Sequence, residues 1–175
     1  METPIIDPAT GLWSAAQLIT HLTREFERAS QAGAGVSVAV ADVDDFGSIA
    51  RSREPAEQVA ILRQLGARVR SSLRRTDAVG RYAGEEFLVV FDPTSRGSAA
   101  PIDPCFVMER VRKAIADRPF STLSGPVNIT VSVGAATGRP GQDDPAGLIS
   151  AAVQALWRAK TEGNCVHVSP AAMGA

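Results

Sequence analysis

Between Gly35 and Asp44 the sequence is almost unbroken in small or β-branched apolar residues, with Val36, Val38, Val40 and Val43 spaced along it. A strand with one wet face alternates apolar and polar positions, so this run predicts a central strand covered on both faces. It ends in carboxylates at Asp42, Asp44 and Asp45. Strand alternation puts Asp42 and Asp44 on one side and Val43 and Asp45 on the other. Acids this close raise one another's pKa unless a cation compensates. In a phosphate-handling site that cation is usually Mg²⁺, held by one or two carboxylates plus substrate oxygens. Taken alone, the cluster also fits an ordinary solvated strand end.

The flanking sequence supplies the rest of a sheet and its cover. Leu12, Ala15, Ala16, Ile19, Leu22 and Phe26 have helical spacing and predict an amphipathic helix over 12–32, ended by Gly33 and Gly35. A second helix is expected over 56–73 through Val59, Leu62, Leu65, Val69 and Leu73. Gly66 falls on that apolar stripe, where its missing side chain allows close packing. Two short strands, 78–82 and 86–91, flank Ala83, Gly84 and Glu85 and read as a β-hairpin. A loop over 92–104 leads into a third helix through Phe106, Val107, Val111, Ala114 and Ile115, which stops near Pro119. Residues 127–134 alternate as a strand with one covered face, and a loop follows over 137–145. A last helix uses Leu148, Ile149, Ala152, Ala155, Leu156 and Ala159, before a short edge strand at 165–168.

That order contains the βαββαβ ferredoxin-like unit. The fold expected is α+β, an α/β sandwich: a palm with a central antiparallel sheet flanked by helices, plus an N-terminal helix and a C-terminal helix with a short strand. Residues 1–11 read as a lead segment, 12–168 as the domain and 169–175 as a tail. In this unit the first strand lies beside the hairpin strands, so Asp42 and Glu85 meet across the sheet as the expected metal-binding carboxylates.

Bulk properties narrow the classes further. A length of 175 residues holds one sizeable core. With 45% apolar and 21% charged residues the chain is ordinary for a globular domain, and it has no run of apolar residues able to span a bilayer. The amino end lacks a basic and then apolar leader, so a cytoplasmic location is expected. A net charge of −1 provides no field for a nucleic-acid polymer. Cys105 and Cys165 show neither CxxC nor Cys/His ligand spacing; they are expected as buried small apolar residues, with no zinc site.

Five segments in order resemble the GGDEF, or diguanylate cyclase, family. Ala83, Gly84, Glu85, Glu86 and Phe87 are similar to its GG(D/E)EF hairpin, as a divergent AGEEF form. Asp7 to Leu12 resembles DxLTGL, Asp42 to Phe46 DxDxF, Thr130 to Gly134 TVSIG, and Ala152 to Lys160 ADxALYxAK. The resemblance covers about residues 7–168. It implies a palm-like site that joins two GTP molecules into cyclic di-GMP as two domains meet face to face. It assigns Mg²⁺ or Mn²⁺ to Asp42, the Val43 carbonyl and Glu85, with Asp42 and Glu85 as the catalytic acids. Phe46, Gly84 and Lys160 fall on its substrate-phosphate positions.

The resemblance fails at the base. The family's FKxIND is replaced by Phe46, Gly47, Ser48, Ile49, Ala50 and Arg51, so Ala50 stands where an Asn reads guanine. Val59 stands where an Asp takes the other edge, and the arginines of a GRNR ending are missing near Gly163, Asn164 and Cys165. Arg74 and Asp77, by contrast, match the family's RxxD product-binding site at its usual offset from the hairpin. A guanidinium binds phosphate or a guanine edge bidentately, and a carboxylate accepts from guanine N1 and N2.

The leading expectation is a receptor or regulatory module that binds cyclic di-GMP through Arg74 and Asp77 and signals to a protein partner, with cyclase activity weak or absent. The alternatives are an active Mg-dependent diguanylate cyclase, a nucleotide cyclase with altered base preference, or a ligand-free scaffold. A homodimer is compatible with each. No sensory or membrane-spanning segment accompanies the domain in these residues, so regulation through ligand, partner or self-association is expected unless the chain is excised from a longer one.

Overall fold

A computed structural model of the chain describes residues 5–92 and 102–170. The elements are β1 (Trp13–Ser14), α1 (Ala15–Ala32), β2 (Val36–Val43), α2 (Phe46–Arg51), α3 (Pro55–Ser71), β3 (Ala78–Ala83), β4 (Glu86–Val90), α4 (Pro104–Ala116), β5 (Val131–Gly138), α5 (Pro145–Glu162) and β6 (Val166–Val168). The described strands form one sheet in the order β1-β3-β4-β2-β5-β6. Its four inner strands are antiparallel, and β1 and β6 add parallel edges. The inner order is that of the ferredoxin-like unit, so the expected palm is present, within a sheet that is mixed at its margins.

Strand β2 is the centre of this arrangement. Ala39, Ala41 and Val43 point into a core shared with Ile61, Leu65 and Val69 of α3 and Met108, Val111 and Ile115 of α4. Val36, Val38 and Val40 point the other way, onto Leu18, Leu22 and Phe26 of α1 and Ala152 and Leu156 of α5. Alternation therefore sends neighbouring residues into two separate cores, which is why the strand carries no polar face. Each large side chain buried in this way contributes about 1.5–3 kcal/mol. The approach of α5 depends on Gly134, because a Cβ there would lie 2.1 Å from both Ala152 O and Leu156 N. Gly66 is used as its place on the stripe implied, with Leu12 Cδ1 at 3.1 Å from the position of a Cβ.

Several boundaries differ from the sequence expectation. The first helix begins at Ala15, not Leu12, because Trp13 and Ser14 pair with Gly80 and Arg81 as β1 and Ser14 caps the helix by accepting from Gln17 N at 3.3 Å. The helix α2 has no counterpart in the periodicity, being six residues long and entered through Asp45 at φ 52°. The strand expected at 127–134 is β5 at 131–138, since pairing with all of β2 sets its span; Val127 instead bridges Phe120. Thr137, expected in a loop, lies in this strand with its hydroxyl 2.8 Å from that of Ser37. Val59 and Phe106, both read as core, are 42% and 70% exposed. Cys105 and Cys165 are half-buried, not enclosed. The loop expected over 92–104 falls mostly on 93–101, outside the described residues, as do the first four and last five residues.

Glu57 joins α3 to the segment before β5. It is 4% exposed and accepts from Ser124 N and Ser124 Oγ, both at 2.8 Å. Those two bonds, helped by Thr122, hold its pKa at about 2, below the ordinary 4.5. A carboxyl with a depressed folded pKa stabilises the fold above its unfolded value and loses that contribution as protonation proceeds. Acid unfolding of the wild type should therefore steepen as pH falls from about 4.5 towards about 2, and Glu57→Gln should flatten this part of the profile. In urea unfolding, Gly134→Ala should cost about 3 kcal/mol through overpacking against α5. Gly47→Ala, whose Cβ meets only Arg51 Nη1 at 3.7 Å, should leave stability unchanged or raise it.

Candidate functional site

The carboxylates at the end of β2 divide into two environments. Asp42 pairs across the sheet with Glu86 of β4 on one side and Ser132 of β5 on the other. Directly opposed residues of an antiparallel pair share a face, so Asp42 and Glu86 crowd each other. Burial, Asp42 and Glu85 together push the Glu86 carboxyl above its ordinary range, and Lys160 only partly offsets them. Glu85 sits in the tight turn with Gly84, whose φ of 41° lets the chain reverse there. Arg81 Nε holds that turn by donating to Gly84 O at 2.6 Å, and its Nη1 lies 3.4 Å from Asp7 Oδ2. Asp7 is itself fixed by Thr10, whose backbone and hydroxyl both donate to it at 2.8 Å. The opening motif thus braces the hairpin from outside the sheet.

Asp44 has the opposite character. Thr130 Oγ1 and Ser132 Oγ each donate to it at 2.7 Å, and Asn164 N donates at 2.9 Å. Burial works to raise its pKa, but these donors and Lys160 outweigh it and hold the carboxyl below its usual range. Asp44 therefore ties the end of β2 to β5 and to the turn after α5. The sequence placed Asp44 in the acidic cluster without showing this role, because its donors lie 86 to 120 residues away.

Lys160, from the last turn of α5, enters between these acids. Its Nζ lies 2.6 Å from Asp42 Oδ1 and 3.5 Å from Asp44 Oδ1, and donates to Val43 O at 2.8 Å. The ammonium thus sits on two of the oxygens that the motifs single out for a divalent ion. Beside it opens a polar cleft of about 350 Å³ lined by Asp44, Asp45, Thr130, Lys160, Glu162, Gly163 and Asn164. Such a cleft, with an ammonium at its edge and carboxylates behind, suits an anionic ligand together with a cation. Phe46 begins α2 and packs against the core on the α3 side. Ala50 is half-buried with its carbonyl accepting from Gln58 Nε2 at 2.9 Å, and Val59 faces outward from α3. Neither side chain has a polar atom to offer a base.

Arg74 and Asp77 lie on a separate edge, in the turn between α3 and β3. Asp77 is 3% exposed; its carboxylate accepts from Arg74 N at 3.0 Å and Asp92 N at 3.3 Å. It organises the turn that carries Arg74, a role the RxxD spacing does not disclose. A shallow notch of about 30 Å³ is bordered there by Arg74, Asp77, Phe106 and Arg110. Phe106 and Arg110 were not expected at this edge, and no sequence signal marked them, because Phe106 fits the apolar spacing of α4 and its 70% exposure shows only in the structure. A hollow of about 470 Å³ opens on the far side of Asp77, lined by Trp13, His21, Arg70 and Arg75, away from the acidic strand end.

Comparison with known proteins identifies the family and the fold. The family described as "Diguanylate cyclase, GGDEF domain" matches residues 5–165. Diguanylate cyclase DgcP of Pseudomonas aeruginosa is 33% identical over 93% of this chain and 23% of its own length. Response regulator PleD of Caulobacter vibrioides is 29% identical over 98% of this chain and 37% of its own. The chain thus spans well under half of these curated relatives. Among solved structures, the GGDEF domain of DgcB from Caulobacter crescentus, in complex with c-di-GMP, superposes with a TM-score of 0.86 at 22% identity, covering 98% of this chain and 96% of that one. SiaD of Pseudomonas aeruginosa, a diguanylate cyclase solved with its activator SiaC, gives 0.85 at 28% identity, covering 95% and 62%. With a family match over nearly its whole length and the palm that such domains share, the chain belongs to the GGDEF domain family.

Proposed function

We propose that this domain serves cyclic di-GMP signalling as a binding and regulatory module in the cytoplasm, with cyclase turnover weak or absent. The observation that carries this reading is the chemistry at the two guanine-reading positions, Ala50 and Val59, which offer only methyl groups. A site built on hydrogen bonds to a base loses several powers of ten in discrimination when those partners are missing. At the other edge, Arg74 and Arg110 supply guanidinium groups for phosphate, and the exposed Phe106 ring supplies a stacking surface for a purine. Asp77 contributes by holding the turn that presents Arg74, since its own carboxylate is engaged by backbone amides.

A specific observation also favours the second reading, an active cyclase. Asp42, the Val43 carbonyl and Glu85 are all hard oxygen donors, and the Lys160 ammonium on Asp42 Oδ1 and Val43 O marks a point that attracts a cation. The set therefore fits Mg²⁺ or Mn²⁺ by its donor chemistry. A bound divalent ion would stabilise charge on the α-phosphate during attack by a 3′-hydroxyl. Lys160, released from Asp42, would pair with phosphate instead, and Gly84 would let the hairpin backbone approach it without a side chain in between. In this reading a homodimer would bring two nucleotides face to face.

Titration calorimetry with cyclic di-GMP tests the binding module. The wild type should release heat and saturate. Arg74→Ala should weaken binding by about tenfold or more, the cost of one charge-assisted contact. A wild type that gives no binding heat, or an Arg74→Ala variant that binds as tightly, contradicts the assignment.

A further inference from the structure

We propose that Glu162, Cys165 and His167 form a binding site for a transition-metal ion of the zinc class, distinct from the oxygen donors at the end of β2. Helix α5 ends at Glu162, and the chain then turns through Gly163 at φ 73° and Asn164 at φ 49° into β6. Cys165 and His167 are two residues apart on an extended segment, so their side chains share one face. The turn carries the helix-end carboxylate back over that face. One ligand atom from each of the three residues lies within 4.8 Å of the other two, and Glu162 Oε1 is 2.9 Å from His167 Nε2. Among the described residues, this is the group of His, Cys, Asp and Glu side chains drawn together so closely.

The donor set decides the class of ion. Thiolate, imidazole and carboxylate together select a borderline ion such as Zn²⁺, which takes four ligands and here leaves one position for water; Mg²⁺ avoids sulfur. The surrounding charge also suits a cation. Glu162 and Asp44 lie near the Cys165 sulfur, while Glu109 and the Arg112 guanidinium beside it offset each other through bonds of 2.8 and 3.0 Å. Cys165 Sγ rests 3.4 Å from Ala159 O, and burial with the nearby acids pushes its thiol up; a bound ion would replace that weak contact as the thiol proton leaves to solvent. None of this was legible in linear spacing, because the ligands lack a CxxC or HxxxH signature and meet through a left-handed turn. The site has one structural consequence. An ion there would pin the turn containing Asn164, whose backbone N–H anchors Asp44 beside the polar cleft.

Co²⁺ absorbance on the full chain, with excess Mg²⁺ present to occupy oxygen sites, reads the sulfur ligand directly. A single equivalent of Co²⁺ should give a thiolate-to-cobalt charge-transfer band and intense tetrahedral bands, both erased by Zn²⁺. Cys165→Ser should abolish the charge-transfer band, and His167→Ala should weaken Co²⁺ binding by about tenfold or more. Cys105→Ser and Asp42→Asn should leave the spectrum intact. A wild type showing only weak octahedral cobalt bands overturns the proposal, as does a charge-transfer band that survives Cys165→Ser or disappears with Cys105→Ser. Loss of cyclic di-GMP binding has no bearing on this result, since the two sites share no residue.

Discussion

Negative charge gathered at the end of β2 is the condition to which the rest of this site responds. Asp42 faces Glu86 across the sheet where the central strand leaves the core, Glu85 acts on Glu86 from the turn, and unrelieved carboxylates there would oppose folding. The protein answers in two ways. Asp44 is surrounded by donors from Thr130, Ser132 and Asn164, which makes it an anchor. Asp42 receives Lys160, a cation on a flexible stem that other ligands can draw away. One acid is thus fixed by hydrogen bonds, and its neighbour is held by an ion pair.

That division depends on the sheet being covered on both faces. Because β2 feeds two cores, its termini are the places where the strand can carry charge, and α5 must lie close enough for Lys160 to reach Val43. Gly134 allows that approach, linking a packing requirement in β5 to the electrostatics of the site. The hairpin is braced separately, by Arg81 between Gly84 and Asp7. The end of β2 and Lys160 thus hold each other while the hairpin has its own brace, and nothing in the framework requires a polar residue at Ala50 or Val59. Apolar side chains at these two positions are compatible with the fold.

Much of this was legible in the sequence. The apolar run into Asp42 gave away a two-sided central strand, and Ala83, Gly84 and Glu85 marked the hairpin, because both signals are local. What escaped depended on distant partners. The span of β5 is set by pairing with β2, and a six-residue helix such as α2 is too short to show a period. Phe106 fits the apolar spacing of α4 yet faces solvent, because spacing identifies a stripe but not what covers it. The RxxD pattern located Arg74 and Asp77 but not the burial of Asp77, which follows from the return of β4 at Asp92. The Glu162, Cys165 and His167 cluster is made by a turn, and no spacing rule encodes it.

The central claim is that a palm with its acidic strand end intact has lost the means to read guanine. Chromatographic product analysis of the purified chain with GTP and Mg²⁺ tests it most directly. Little or no cyclic di-GMP should form over many hours, while conversion at the rate of an ordinary enzyme, about 1 per second or faster, would contradict the account.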